Sequence, residues 1–167
     1  DFSENLHYAC DFIVLIGIAG GIKDEIELCD VFIGTNVLYY DRRKEKADGS
    51  IDHRAVMFNN SFSFTQNLNR FFLLNSEPAE FERNDASKGK RKFRVHRGPI
   101  GSGEAVIGNP LSPTKEWLQS VNSKVGVVET EAAGFFQAYY EMGEELTNSF
   151  GGNTEIIANQ KNDPVRL

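Results

Sequence analysis

Cysteine, tryptophan, methionine and histidine are all scarce in this sequence, and several of these shortages exclude something. The two cysteines, Cys10 and Cys29, lie far apart and form no C-x-x-C pattern, so neither a disulfide framework nor a zinc ribbon is encoded. Each precedes an apolar segment, and both read as small buried thiols in a reducing compartment. His7, His53 and His96 share no metal-ligand spacing with one another or with the cysteines, so no metal site is expected. No apolar run approaches the ~18 residues of a membrane span; the longest, Phe12 to Ala19, ends in Gly-Gly. Positive charge is also short: 18 Lys and Arg against 24 Asp and Glu give a net charge of −6. That balance argues against a general nucleic-acid binder. The acidic start, Asp1-Phe2-Ser3-Glu4, has no secretory signal. A cytoplasmic globular domain is the expectation.

What is present suits one α/β core: 167 residues, 40% of them hydrophobic and 25% charged. Residues 3–10 read as the end of a helix. Phe12 to Ile16 is apolar on both faces, as a central strand covered on both sides would be. A polar link, Lys23 to Asp30, leads to a second strand at Val31 to Tyr40, rich in β-branched and aromatic residues. The stretch 41–55 is charged, with a turn at Asp48-Gly49. From Asn59 to Leu74 the spacing places Phe64, Leu68, Phe71 and Phe72 on one helical face. Residues 75–92 read as loop, including the basic run Lys88 to Lys92, then a short strand at Phe93 to His96, a small loop at 98–103 and a strand at 105–107. Ser112 and Pro113 supply an N-cap and a favoured first helical residue. Val125 to Val128 is a strand, 132–147 a helix with Phe135, Phe136, Tyr139 and Tyr140 on an aromatic face, and 154–157 a last strand before a polar tail. The strand–helix alternation predicts an α/β sheet in a single domain spanning 1–167.

Gly17-Ile18-Ala19-Gly20-Gly21 follows a buried strand, an arrangement that brings backbone N–H groups close to a ligand. It is not a P-loop, because Ile22-Lys23-Asp24 follows in place of G-K-[ST]. A dinucleotide fold is disfavoured, because about nine residues to Val31 leave no room for a crossover helix. A plain tight turn remains open as the alternative.

Two further segments bear on this choice. His96 to Ile107 places a small polar loop between two strands, and Val127-Val128-Glu129-Thr130-Glu131-Ala132-Ala133-Gly134 places two carboxylates where a strand becomes a helix. Alternate strand residues face the same side, so Glu129 and Glu131 are expected to face one cleft. A capping role is the ordinary alternative for an acid at such a place.

Together the three segments resemble the nucleoside phosphorylase and methylthioadenosine/S-adenosylhomocysteine nucleosidase superfamily. Gly17 to Gly21 with Cys29-Asp30-Val31 is similar to its glycine motif and G-D-V-V strand, with Cys29 in place of glycine. Gly101-Ser102-Gly103-Glu104 is similar to its S-G-D loop, and Val128 to Ala133 to its E-M-E-A signature, with Thr130 in place of Met. The resemblance implies a three-layer fold with a mixed central sheet flanked by helices. It gives Glu131 the ribose hydroxyls, which a carboxylate can accept in pairs, and a charge that favours an oxocarbenium-like sugar. It implies that Glu129 supports the site, that Thr130 lines the sugar pocket, and that Ala19 and Gly20 touch the nucleoside through backbone. Ser102 falls where phosphorolytic members bind phosphate, Arg97 is a second candidate for a phosphate, and Val106 falls where many relatives stack an aromatic ring on the base.

The family's purine-protonating acid follows its last strand. Here Ile156-Ile157 runs directly into Ala158-Asn159-Gln160, as though a loop near 157–158 that carries the acid, and the elements before residue 1, were missing. The donor is unassigned, with Asp163, whose setting resembles the helix start downstream of the motif, as the alternative. The implied activity is purine N-glycosidase action on a nucleoside or nucleotide, in the manner of nucleosidase domains of immune effectors. The alternatives are a phosphorylase taking inorganic phosphate as co-substrate and a non-catalytic nucleoside-binding module. No other cofactor, membrane or nucleic-acid partner is implied, and a homo-oligomer is.

Overall fold

The computed structural model describes residues 12–85, 89–109, 111–146 and 153–160. The expected helix at 3–10, Cys10, Lys88 and Asp163 lie outside them. A mixed sheet is built from β1 (Phe12–Gly21), β2 (Val31–Tyr39), β5 (Val56–Asn59), β6 (Ala79–Asp85), β7 (Gly89–Ser102), β8 (Val127–Glu129) and β9 (Asn153–Gln160). Its order is β5-β2-β9-β1-β8-β7-β6, and a further pairing of β2 with β7 joins β2, β9, β1, β8 and β7 into a ring. Strands β2, β7 and β8 run parallel, while β8 meets the end of β1 antiparallel through Gly20↔Val128. A separate hairpin, β3 (Arg43–Glu45) with β4 (Ile51–His53), closes around the expected Asp48-Gly49 turn, where Gly49 takes a φ of 79°.

Helices lie on both faces of this sheet. Neighbouring strand residues point to opposite sides, and the core divides accordingly. Val37, Val127, Ala19 and Ile100 join Ala132 and Phe136 of α3 (Ala132–Leu146). Leu38, Val128 and Val125 join Leu118 of α2 (Pro113–Val121). A third cluster sets Phe64, Leu68 and Phe72 of α1 (Phe62–Asn75) against Ala79 and Val95. The α1 stripe matches the expected spacing, with Phe71 only half-buried beside it. Fully burying a side chain such as Phe136 or Leu118 stabilises by roughly 1.5–3 kcal/mol. Both α1 and α2 start as their sequences imply: the Ser61 hydroxyl accepts from Phe64 N, and Ser112 accepts from Thr114 N next to Pro113 at the first turn.

Several expectations are corrected. Residues 75–92 are not a loop: β6 and β7 form an antiparallel hairpin from Ala79↔Val95 to Asp85↔Gly89. It is held by the stacked Phe81–Phe93 pair and by Lys90 Nζ on Glu82 Oε2 at 3.0 Å. Such cross-strand pairs stabilise charged strands that have no apolar alternation of their own. Nor do 98–103 form a loop between strands: β7 runs unbroken to Ser102, and 105–107 is not a strand. The glycines there permit close packing. A Cβ on Gly98 would lie 3.0 Å from Phe32, and one on Gly101 would lie 3.0 Å from Val128. Pro99, which cannot donate to a ladder, sits opposite a register shift between Gly34 and Asn36. The last strand extends to Gln160. Cys29 is exposed and not buried; its φ of 75° places it in a turn that favours glycine.

Candidate active site

The carboxyl ends of β2, β7 and β8 lie side by side, with Tyr39 opposite Ser102 and Ser102 opposite Glu129. Ligands of open α/β sheets bind at such ends. Strand β8 stops at Glu129 and the chain bends into α3, so strand alternation does not extend to Glu131, and the two acids take different positions. Glu129 is 9% exposed. Its Oε2 accepts from the backbone N–H groups of Glu131 and Ala132, both at 2.8 Å. The Ser102 hydroxyl, fully buried, accepts from Ala133 N at 2.9 Å. Together Glu129 and Ser102 satisfy three N–H groups of the first turn of α3, which would otherwise lack partners.

Burial pushes the Glu129 carboxyl above its ordinary 4.5, and the Glu131 charge adds to this; hydrogen bonds from Ser102, Glu131 N and Ala132 N oppose it. Its second oxygen, Oε1, is buried with no hydrogen-bond partner.

Glu131 stands outside this cap. Its carbonyl accepts from Phe135 N at 3.0 Å, making it the residue that opens α3. Its exposed carboxylate therefore lies at the positive end of the helix dipole. Oε1 accepts from the Thr130 hydroxyl at 3.0 Å. Oε2 faces Gly17, where a Cβ would lie 4.0 Å away. The glycine segment and the second acid are thus adjacent at Gly17; the glycines expected to follow the strand as a turn are the second half of β1 itself. Gly20 lies over Val128 at van der Waals distance, while the Ala19 side chain is in the core beside Phe136.

Arg97 is engaged elsewhere. Its Nε and Nη2 bond both oxygens of Glu77 at 3.0 and 2.7 Å, Nη1 bonds Asn69 at 2.6 Å, and the guanidinium covers the Phe72 ring. Five residues along a strand, roughly 17 Å, separate it from Ser102. Gly17 also borders a cavity of about 700 Å³ that includes Ile16, Ile18, Phe93, Arg91 and Lys92 and touches none of Ser102, Glu129, Thr130 or Glu131. Among the described residues no three His, Cys, Asp or Glu side chains are grouped to hold a metal ion, and no helix is long and apolar enough to cross a membrane.

Comparison with known proteins decides the family. The Phosphorylase superfamily profile matches residues 4–146. The chain belongs to the Phosphorylase superfamily. The ATP nucleosidase Cap17 of Escherichia coli strain KTE188 is 26% identical over 146 residues, 78% of this chain and 28% of that protein. Among solved structures, a futalosine hydrolase mutant of Helicobacter pylori strain 26695 superposes with a TM-score of 0.59 at 16% identity, covering 90% of this chain and 58% of that one. The 5'-methylthioadenosine/S-adenosylhomocysteine nucleosidase of Neisseria meningitidis, in complex with methylthio-immucillin-A, gives 0.58 at 19% identity, over 92% and 58%. The chain therefore spans just over a quarter of the curated relative and somewhat more than half of these folds. Gly17, the first residue of the glycine run, is the one that lies bare beneath the Glu131 carboxylate.

Proposed function

We propose that the chain hydrolyses the N-glycosidic bond of a purine nucleoside or nucleotide, with Glu131 accepting hydrogen bonds from the ribose hydroxyls. The observation that carries this reading is the position of Glu131: an exposed carboxylate at a helix N-terminus, facing a strand residue that has no side chain to block approach. A fixed anion there stabilises positive charge developing on the sugar as the base departs. Thr130 orients one carboxylate oxygen and leaves the other for the ligand. Water is favoured over phosphate as the acceptor, because Ser102 and Arg97 both have their polar atoms engaged within the protein. Likeness to an ATP nucleosidase supports a nucleotide among the substrates.

The test is release of free base from adenosine, AMP, ATP and methylthioadenosine, with and without inorganic phosphate. Phosphate-independent release is expected, and Glu131→Gln should cost at least ~3 kcal/mol in kcat/KM, about a hundredfold. A sugar phosphate formed only with phosphate present would show a phosphorylase instead. Nucleoside binding without turnover would leave a binding module. Near-normal turnover by the Glu131→Gln variant would remove Glu131 from the reaction.

A further inference from the structure

Three consecutive residues where β2 ends, Tyr39, Tyr40 and Asp41, all hold the segment that leaves β7. The Tyr39 hydroxyl donates to Glu104 Oε1 at 3.2 Å. The Tyr40 hydroxyl donates to the Ala105 carbonyl at 3.4 Å, and Tyr40 N donates to the Ser102 carbonyl at 3.0 Å. Asp41 accepts from Glu104 N. The Tyr40 ring is itself fixed: it is 3% exposed and packs with Ile22, Leu38, Leu118, Val125 and Val128.

Gly103 shows how close this approach is. A Cβ there would lie 2.2 Å from Tyr40 Cζ, so any side chain would expel the ring. Gly103 N in turn donates to the Glu129 carbonyl at 3.1 Å. The segment Glu104–Asn109 therefore starts beside the acid that caps α3, two residues from Glu131. It has no regular structure of its own, and Val106 on it is 87% exposed. Ile107 packs against the same cluster and the Asn109 carbonyl accepts from Ser112 N, so the tyrosines and Asp41 fix the end of the segment that lies nearer the site.

We propose that Tyr40, assisted by Tyr39 and Asp41, is a positioning residue that sets the loop Glu104–Asn109 against bound substrate. The inference rests on the nucleosidase reading and deepens it, because it assigns substrate affinity to groups that never touch the reacting bond. A phenylalanine would fill the space over Gly103 equally well, so the hydroxyl is required for its hold on Ala105 and not for packing. Burial, with Asp41 and Glu129 nearby, pushes that hydroxyl to about 12. It remains a donor throughout the neutral range.

The experiment is Tyr40→Phe in the full chain, assayed for base release from adenosine and ATP and for amide hydrogen exchange in Glu104–Asn109. Loss of one such hydrogen bond should raise KM about threefold to tenfold. The kcat should stay within about twofold, as expected when only ground-state binding is lost. The increase should be the same from pH 6 to 9, and loop amides should exchange faster while the melting temperature barely moves. Asp41→Asn, which weakens the same loop from the surface, should raise KM in the same direction without touching the core. An active wild type whose KM ignores both substitutions overturns the clamp, as does unchanged loop exchange. A fall in melting temperature alone would make Tyr40 a core residue and nothing more. A wild type that releases no base overturns the nucleosidase reading itself, and is readily told apart from those results.

Discussion

Asp30 and Glu129 are both buried carboxylates at strand termini, and they are held in opposite ways. Asp30, 3% exposed at the start of β2, takes up burial that would raise its carboxyl. That cost is outweighed by N–H groups of Glu27 and Arg94, the His96 ring and the Arg94 charge, which leave it below its ordinary 3.8. Arg94 lies 3.0 Å from both Asp30 and Glu27, and His96 Nε2 lies 2.8 Å from Asp30. Glu129 has N–H and hydroxyl partners but, among the described residues, no ion-pair partner; it keeps one orphaned oxygen and a raised carboxyl. A fully compensated buried charge serves the fold. An under-compensated one at the carboxyl ends of parallel strands lies where ligands are expected to bind.

The largest expected effect comes from breaking the first cluster. Asp30→Asn removes the buried anion shared by Arg94 and His96, leaving Arg94 only the exposed Glu27, and should lower unfolding free energy by about 3 kcal/mol, read by urea denaturation. It should also remove the acid sensitivity that Asp30 contributes. Its lowered carboxyl gives stability that is present above 3.8 and lost as pH falls through the lower folded value. Glu129→Gln should cost less, about 1 kcal/mol, because the amide oxygen can still accept from the α3 N–H groups.

The pH signature of Glu129 runs the other way. With its folded value raised, its contribution is fully present below 4.5 and fades as pH rises through that higher value. Thermal melts of the Gln variant above pH 4.5 should therefore decline less steeply than those of wild type; parallel curves would put Glu129 in the same class as Asp30. The smallest effect is a gain. Cys29→Gly relieves a positive φ one residue before Asp30 and should add up to about 1 kcal/mol.

The same comparison explains what could be read in advance. The α1 stripe at Phe64, Leu68 and Phe72 and the Ser112-Pro113 helix start are local patterns, and the structure repeats them. Strand β1 forms where expected but is not covered on both sides, with Ile16 68% and Ile18 61% exposed. The glycine run read as a turn because it follows an apolar segment, whereas pairing with β9 and β8 keeps it in strand β1 as far as Gly21. The β6–β7 hairpin was hidden because its charged residues pair with partners across the turn and carry no alternation. The strand through Gly98 and Gly101 read as a loop because close approach by Phe32 and Val128 is a contact between distant residues. Cys29 read as buried because its neighbours are apolar, whereas a left-handed turn keeps it outside.

Sequence by itself determined the family, the α/β alternation and the helix starts, because each depends on residues close together in the chain. Only tertiary structure decided that Glu129 and Ser102 cap α3 while Glu131 faces outward, and that Tyr40 lies over Gly103. Those outcomes depend on how strand ends meet across a closed ring of β2, β9, β1, β8 and β7, where groups remote in sequence compete for the same few N–H donors and the same small volume.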